Sequence, residues 1–135
     1  MADDVIINKA ATIERCIARV REEHQKAGDN FATDYSRQDA AILNIQRACE
    51  AALDAGQYIV RRDRLGIPQS SRDIFTLLAQ AGWVKNTLAE NMKRMVGFRN
   101  IAVHDYQALI IPIVEKIISH HLSDFMDFSA AVLKK

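Results

Sequence analysis

Proline and glycine are scarce in this chain, two and five in 135 residues. With apolar residues recurring at three- and four-residue steps almost throughout, so little punctuation excludes a sheet and points to helices. There are only two cysteines, Cys16 and Cys49, with no metal-ligand spacing between them. Both fall among apolar neighbours in helical patterns, where a thiol behaves as a small, reduced hydrophobe. Net charge is nearly absent too: 18 basic against 17 acidic residues leave +1. That balance argues against a coat of positive charge for tight, sequence-blind nucleic-acid binding, so any such contact is local. The longest apolar run, Ala108 to Val114, is far short of a membrane span, and no secretory leader opens the chain. A cytoplasmic protein without membrane contact is expected.

What remains is an ordinary globular composition, 49% hydrophobic and 26% charged. The length suits one core, so a single domain over residues 1–135 is expected. A first helix should run from about Val5 to Lys26, with Ile6, Ala10, Ile13, Ile17 and Val20 on one stripe behind Asp3 and Asp4 as capping candidates. Gly28 stops it. The polar stretch Asp29 to Asp34 reads as a loop, followed by a long helix from about Tyr35 to Arg64 with Tyr35, Ile42, Cys49, Leu53, Gly56 and Val60 facing inward.

Leu65-Gly66-Ile67-Pro68 ends that helix, and Ser70 with Asp73 forms a capping-box pattern for a short helix to about Ala81. Thr87 with Glu90 repeats the pattern for a fourth helix reaching Val103 or His104. One last helix is expected from about Leu109 to Leu133, tolerating Pro112 in its first turn, with Ile110, Val114, Ile117, His121, Phe125 and Phe128 as its stripe. The fold class is therefore all-α, an antiparallel bundle of four main helices plus one short helix.

The chemistry concentrates in Arg99-Asn100-Ile101-Ala102-Val103-His104-Asp105-Tyr106 at the end of the fourth helix. Each helical residue advances by roughly 100°, so Lys93, Gly97, Asn100 and His104 share a polar strip. Arg99 aligns instead with Leu88, Met92 and Met95, an apolar stripe, and Tyr106 is in register with it. A buried guanidinium is costly unless paired, and Asp39 on the second helix is the candidate partner. Arg99 and His104 point roughly 140° apart on an ideal helix. Either the helix loosens near His104, or two copies of the chain meet and share a groove; the second is preferred.

Other clusters carry less. His120 and His121 are adjacent and diverge by roughly 100° on a helix, and no cluster at known spacings completes a metal site. The Arg61-Arg62-Asp63-Arg64 run complements a helix C-terminus simply by its charge. There is no phosphate-binding glycine loop, no Ser-His-Asp arrangement and no nucleotidyltransferase signature.

Arg99, four residues, His104, one residue and Tyr106 resemble the Arg-x4-His-x-Tyr signature of the HEPN ribonucleases. The wider stretch Lys93-Arg94-Met95-Val96-Gly97-Phe98 before the octapeptide, with Arg37-Gln38-Asp39-Ala40 and Gln46-Arg47-Ala48-Cys49-Glu50-Ala51, is similar to the HepT toxins. The resemblance implies a HEPN-like helical fold and a homodimeric, metal-independent endoribonuclease that needs no cofactor. It implies the toxin of a type VII toxin–antitoxin system, silenced by an antitoxin of the MntA nucleotidyltransferase type that adds AMP to the motif tyrosine, here Tyr106.

RNA brings its own nucleophile, the 2′-hydroxyl, so cleavage needs proton transfer and stabilisation of phosphate charge. An imidazole such as that of His104 exchanges protons near neutral pH, a step worth roughly 10²- to 10⁴-fold. The fork of Arg99 suits two non-bridging oxygens at once. Asn100 and Tyr106 are supporting candidates, and Asp105 caps the turn or tunes the histidine. The competing reading is a non-catalytic helical adaptor that docks a nucleotidyltransferase; a purely structural helical dimer is a third.

Overall fold

Asp3 starts the first helix by accepting a hydrogen bond from the Val5 amide at 2.9 Å, satisfying one of the orphan donors at a helix start. The computed structural model describes residues 3–134. Among them it holds six α-helices: α1 (Asp4–Ala27), α2 (Tyr35–Arg62), α3 (Ser71–Gln80), α4 (Asn86–His104), α5 (Ile111–His120) and α6 (Leu122–Lys134). The described residues contain no strand, as the glycine and proline counts lead one to expect.

The helices α1 and α2 form an antiparallel hairpin tied at both ends. Near its open end Lys9 meets Asp54 at 3.2 Å and Tyr58 donates to Asp3 at 2.5 Å. Near the turn, buried Glu23 holds Arg37 at 2.6 Å and Arg19 at 3.4 Å. Asp34 caps α2 through the Arg37 amide at 3.1 Å. The expected stripes of both helices are buried, with the exception of Tyr35, which is 72% exposed at the first position of α2. Tyr35 and its neighbour Ser36 are both exposed, and burial on α2 begins at Gln38, which donates to the Phe31 carbonyl at 2.7 Å.

Against this pair, α4 packs through Met92, Met95, Val96 and Ala102, and α6 through Phe125 and Phe128. Phe75 of α3 meets the edge of Phe128 at 5.6 Å and 80°, so the short helix closes the core. Each such ring taken fully out of water contributes about 1.5–3 kcal/mol.

Several local expectations are corrected. The last helix is two helices, broken at His121 (φ −123°, ψ −1°) without glycine or proline. His121 Nδ1 lies 3.0 Å from Asp124 Oδ2, so the pair holds a fresh helix start. Ile110, placed in the core stripe by periodicity, precedes α5 and is 56% exposed. Ser70 caps no amide with its side chain; Asp73 instead accepts from the Gln69 amide at 2.8 Å. Thr87 is already inside α4, whose flanking residue is Lys85, and Glu90 pairs with Lys93 at 2.8 Å. Finally, α2 stops at Arg62 because Arg64 turns left-handed (φ 54°) and the Leu65 amide closes back on Val60 at 3.0 Å.

Candidate functional site at the end of helix α4

The end of α4 is set by a backbone reversal. Asp105 leaves the helix (φ −151°, ψ 59°) while its amide still reaches the Ile101 carbonyl at 2.8 Å. A 3₁₀ turn over Tyr106–Ala108 follows. His104 is therefore the last helical residue, exposed to solvent, and Tyr106 is off the helix.

The turn brings the Tyr106 ring back toward α2, where its hydroxyl donates to Asp39 Oδ1. This overturns the expected pairing of Asp39 with Arg99. The carboxylate lies near the start of α2, level with the turn after α4, whereas Arg99 lies deeper along the antiparallel pair. Tyr106 stays 42% exposed. Partial burial, and then the Asp39 carboxylate, push its phenol up to about 12, because both disfavour a second negative charge.

Arg99 lies further along α2, where α3 also borders it. It lines a cleft of about 490 Å³ with Glu50, Leu53, Asp54, Gln57 and Ser71. Its Nε is buried without a hydrogen-bond partner, an arrangement that a buried cationic group sustains at a cost. The thiol of Cys49 lies near enough for the guanidinium to favour its thiolate, yet burial wins and holds that thiol up near 12. Cys16 is raised by burial as well, so both thiols are inert, as their apolar settings suggest.

The polar strip on α4 gains a residue that sequence reasoning missed. A Cβ on Gly97 would stand 2.9 Å from Arg72 Nη2, so the guanidinium of α3 crosses α4 at its glycine. No spacing signal links positions 72 and 97. Asn100 is half-buried on the next turn, and His104 lies one turn further. The octapeptide thus presents an exposed imidazole and a half-exposed phenol at the end of α4, with its arginine further back in the cleft beside α2 and α3.

A second surface borders this one. Ile101, Ile110 and Ile113 are exposed beside Phe98 and Leu109, along an apolar groove of about 400 Å³ between α4 and α5. Among the described residues, no group of three or more His, Cys, Asp or Glu side chains is placed to hold a metal ion, and no helix is long and apolar enough to cross a membrane.

Comparison with known proteins bears on this geometry. The "Ribonuclease HepT-like" family model matches residues 13–132. The mRNA nuclease HepT of Shewanella oneidensis is 53% identical over 126 residues, covering 93% of this chain and 94% of that protein. The solved structure of a tri-AMPylated Shewanella oneidensis HEPN toxin in complex with MNT antitoxin matches with a TM-score of 0.93 at 50% identity, over 98% of this chain and 99% of that one. A cytosolic Bacillus subtilis protein of unknown function, YutE, shares the fold at a TM-score of 0.81 and 17% identity, over 94% and 85% of the two chains. The sequence resemblance and the helical architecture therefore agree: this chain belongs to the HepT-like ribonuclease family.

Proposed function

We propose that Arg99, Asn100, His104 and Tyr106 are the working residues of a metal-independent endoribonuclease, the toxin of a type VII toxin–antitoxin pair acting in the cytoplasm. Ribonuclease activity follows from the family; the assignment to these side chains is our reading. The 2′-hydroxyl of RNA attacks the adjacent phosphorus, the 5′-oxygen leaves, and a 2′,3′-cyclic phosphate remains. His104 carries the proton, Arg99 neutralises the phosphate, and Asn100 orients its neighbour.

The observation that carries this reading is the division of the motif. His104 is exposed at the helix end while Arg99 lies further back in the cleft beside α2 and α3. One chain does not focus both on one phosphate, whereas two chains meeting at the α4 ends bring a second set of groups into a shared groove. The exposed Ile101, Ile110 and Ile113 beside that end are the kind of contiguous apolar patch that a homodimer covers. Each chain enters that dimer as one HEPN-like domain.

The partner in regulation is a nucleotidyltransferase of the MntA type that adds AMP to Tyr106. Support comes from the tri-AMPylated toxin bound to its MNT antitoxin in a structure that matches this one at a TM-score of 0.93, and from the exposure of the Tyr106 ring. A bulky phosphodiester at that position occupies the groove beside His104 and blocks RNA.

The test is incubation of the purified chain with messenger RNA in chelator, beside His104→Ala. Cleavage leaving cyclic phosphate ends, reduced about 10²- to 10⁴-fold in the variant, is expected. Equal cleavage by both proteins overturns the assignment. His104 is exposed, so its replacement should leave stability within about 0.5 kcal/mol.

A further inference from the structure

We propose that Asp39 is the general base for modification of Tyr106, orienting its hydroxyl and taking its proton as the adenylyl group is transferred. The inference rests on the reading of Tyr106 as the modified residue and adds a second residue, remote in sequence, to that reaction.

Three tyrosines allow a comparison within the molecule. Tyr35 is 72% exposed and its hydroxyl meets no carboxylate among the described residues. Tyr58 donates to Asp3, but that carboxylate also accepts from the Val5 amide at 2.9 Å and from Arg62 at 3.3 Å. Asp3 is saturated with donors and stays ionised, its carboxyl held below the usual range chiefly by the Tyr58 hydrogen bond. Asp39 differs. Its one hydrogen bond among the described residues comes from Tyr106, and it forms no ion pair there. It is also exposed, so a proton it receives passes on to water.

The reaction requires such a group. A phenol is a weak nucleophile until its proton leaves, and the surroundings of Tyr106 hold that proton more firmly than usual. With ATP supplied by the nucleotidyltransferase, Tyr106 Oη attacks the α-phosphorus and the Oη–P bond forms. The bond from that phosphorus to the bridging oxygen breaks, and pyrophosphate leaves with the electron pair. The Oη proton passes to Asp39 Oδ1 along the hydrogen bond already in place, then to solvent. The product has no proton to donate and carries a new negative charge beside Asp39, so the two repel and the AMP arm swings away from α2.

The experiment follows transfer from ATP labelled at the α-phosphate, using the full chain and an MNT-type nucleotidyltransferase. Four proteins are compared: the wild type, Asp39→Asn, Asp39→Glu and Tyr106→Phe. Asparagine still accepts a hydrogen bond but takes up no proton. Labelling of Asp39→Asn is expected to be slower by about 10²- to 10⁴-fold, with a rate that climbs with pH where the wild type has levelled off. Asp39→Glu should regain part of the rate, which a merely structural role for Asp39 does not predict. Wild-type rate and pH profile in a folded Asp39→Asn protein overturn the proposal alone, provided Tyr106→Phe is unlabelled. A wild-type chain that takes no label, or a labelled Tyr106→Phe, overturns the reading of Tyr106 and the role of Asp39 with it.

Discussion

Arg99 and His104 stand five positions apart on α4 and leave it on different sides, the guanidinium into the cleft with Glu50 and Ser71 and the imidazole into solvent. The arginine forms no ion pair among the described residues, and its Nε is buried without a partner. A residue kept for stability is not expected in that state.

The consequence is testable by replacing Arg99 with leucine, which keeps an apolar stem and removes the buried, unpartnered Nε. Denaturant unfolding should give a stability equal to or above that of the wild type, since replacing a poorly satisfied buried polar group by a hydrophobe is often neutral or favourable. RNA cleavage should fall by at least about 10²-fold, as for loss of a positioned charge stabiliser. Destabilisation beyond about 2 kcal/mol with cleavage intact would instead make Arg99 a packing residue.

Most of the architecture was readable because it depends on local periodicity. The α1 stripe from Ile6 to Val20, the cap at Asp3 and the end of α4 at His104 all follow from residues within a turn or two of one another. The candidate site's residues could be named from the sequence, but their arrangement could not. Tyr106 meets Asp39 across 67 positions, and Arg72 crosses Gly97 from another helix. The break at His121 was hidden for a related reason: a histidine–carboxylate contact makes it, with none of the residues that usually mark a helix end. Ser70 and Thr87 show the converse, a capping pattern present in sequence whose side chains are not used as caps.

Two glycines should respond in opposite senses to alanine. At Gly97 the added methyl meets the far end of Arg72, 2.9 Å away, which can swing aside. The gain in helix propensity, about 1 kcal/mol, should then raise the melting temperature. At Gly56 the methyl meets Ile74 Cγ2 at 2.6 Å and Leu78 Cδ1 at 3.2 Å in the α2–α3 packing. Overpacking there should cost about 1–3 kcal/mol, visible as a lower denaturation midpoint.

The apolar patch at the α4–α5 corner gives a test of self-association. Ile113 is 52% exposed and lines the groove with Phe98 and Leu109, so Ile113→Lys removes no core contact. Monomer stability should change by less than about 0.5 kcal/mol. If two chains share the RNA groove, sedimentation should show a weaker dimer and cleavage should fall in parallel, recovering at high protein concentration. An unchanged sedimentation profile argues that the dimer uses another face.

Alkaline pH should loosen the fold through Cys49. Burial, opposed by the charge of Arg99, raises this thiol from an ordinary 9.0 to about 12. The unfolded chain therefore releases the proton first, and over that interval it binds fewer protons than the native state. Stability is fully present below about pH 9 and declines as pH rises toward 12. Cys49→Ala removes the titrating group while leaving a small cavity, so its stability at neutral pH should be somewhat lower but its alkaline decline shallower. Thiol alkylation gives the kinetic counterpart: at neutral pH Cys49 should react only as fast as the protein opens, and denaturant should accelerate it in step with unfolding. Rapid labelling of the folded protein would contradict the packing of Cys49 against α4.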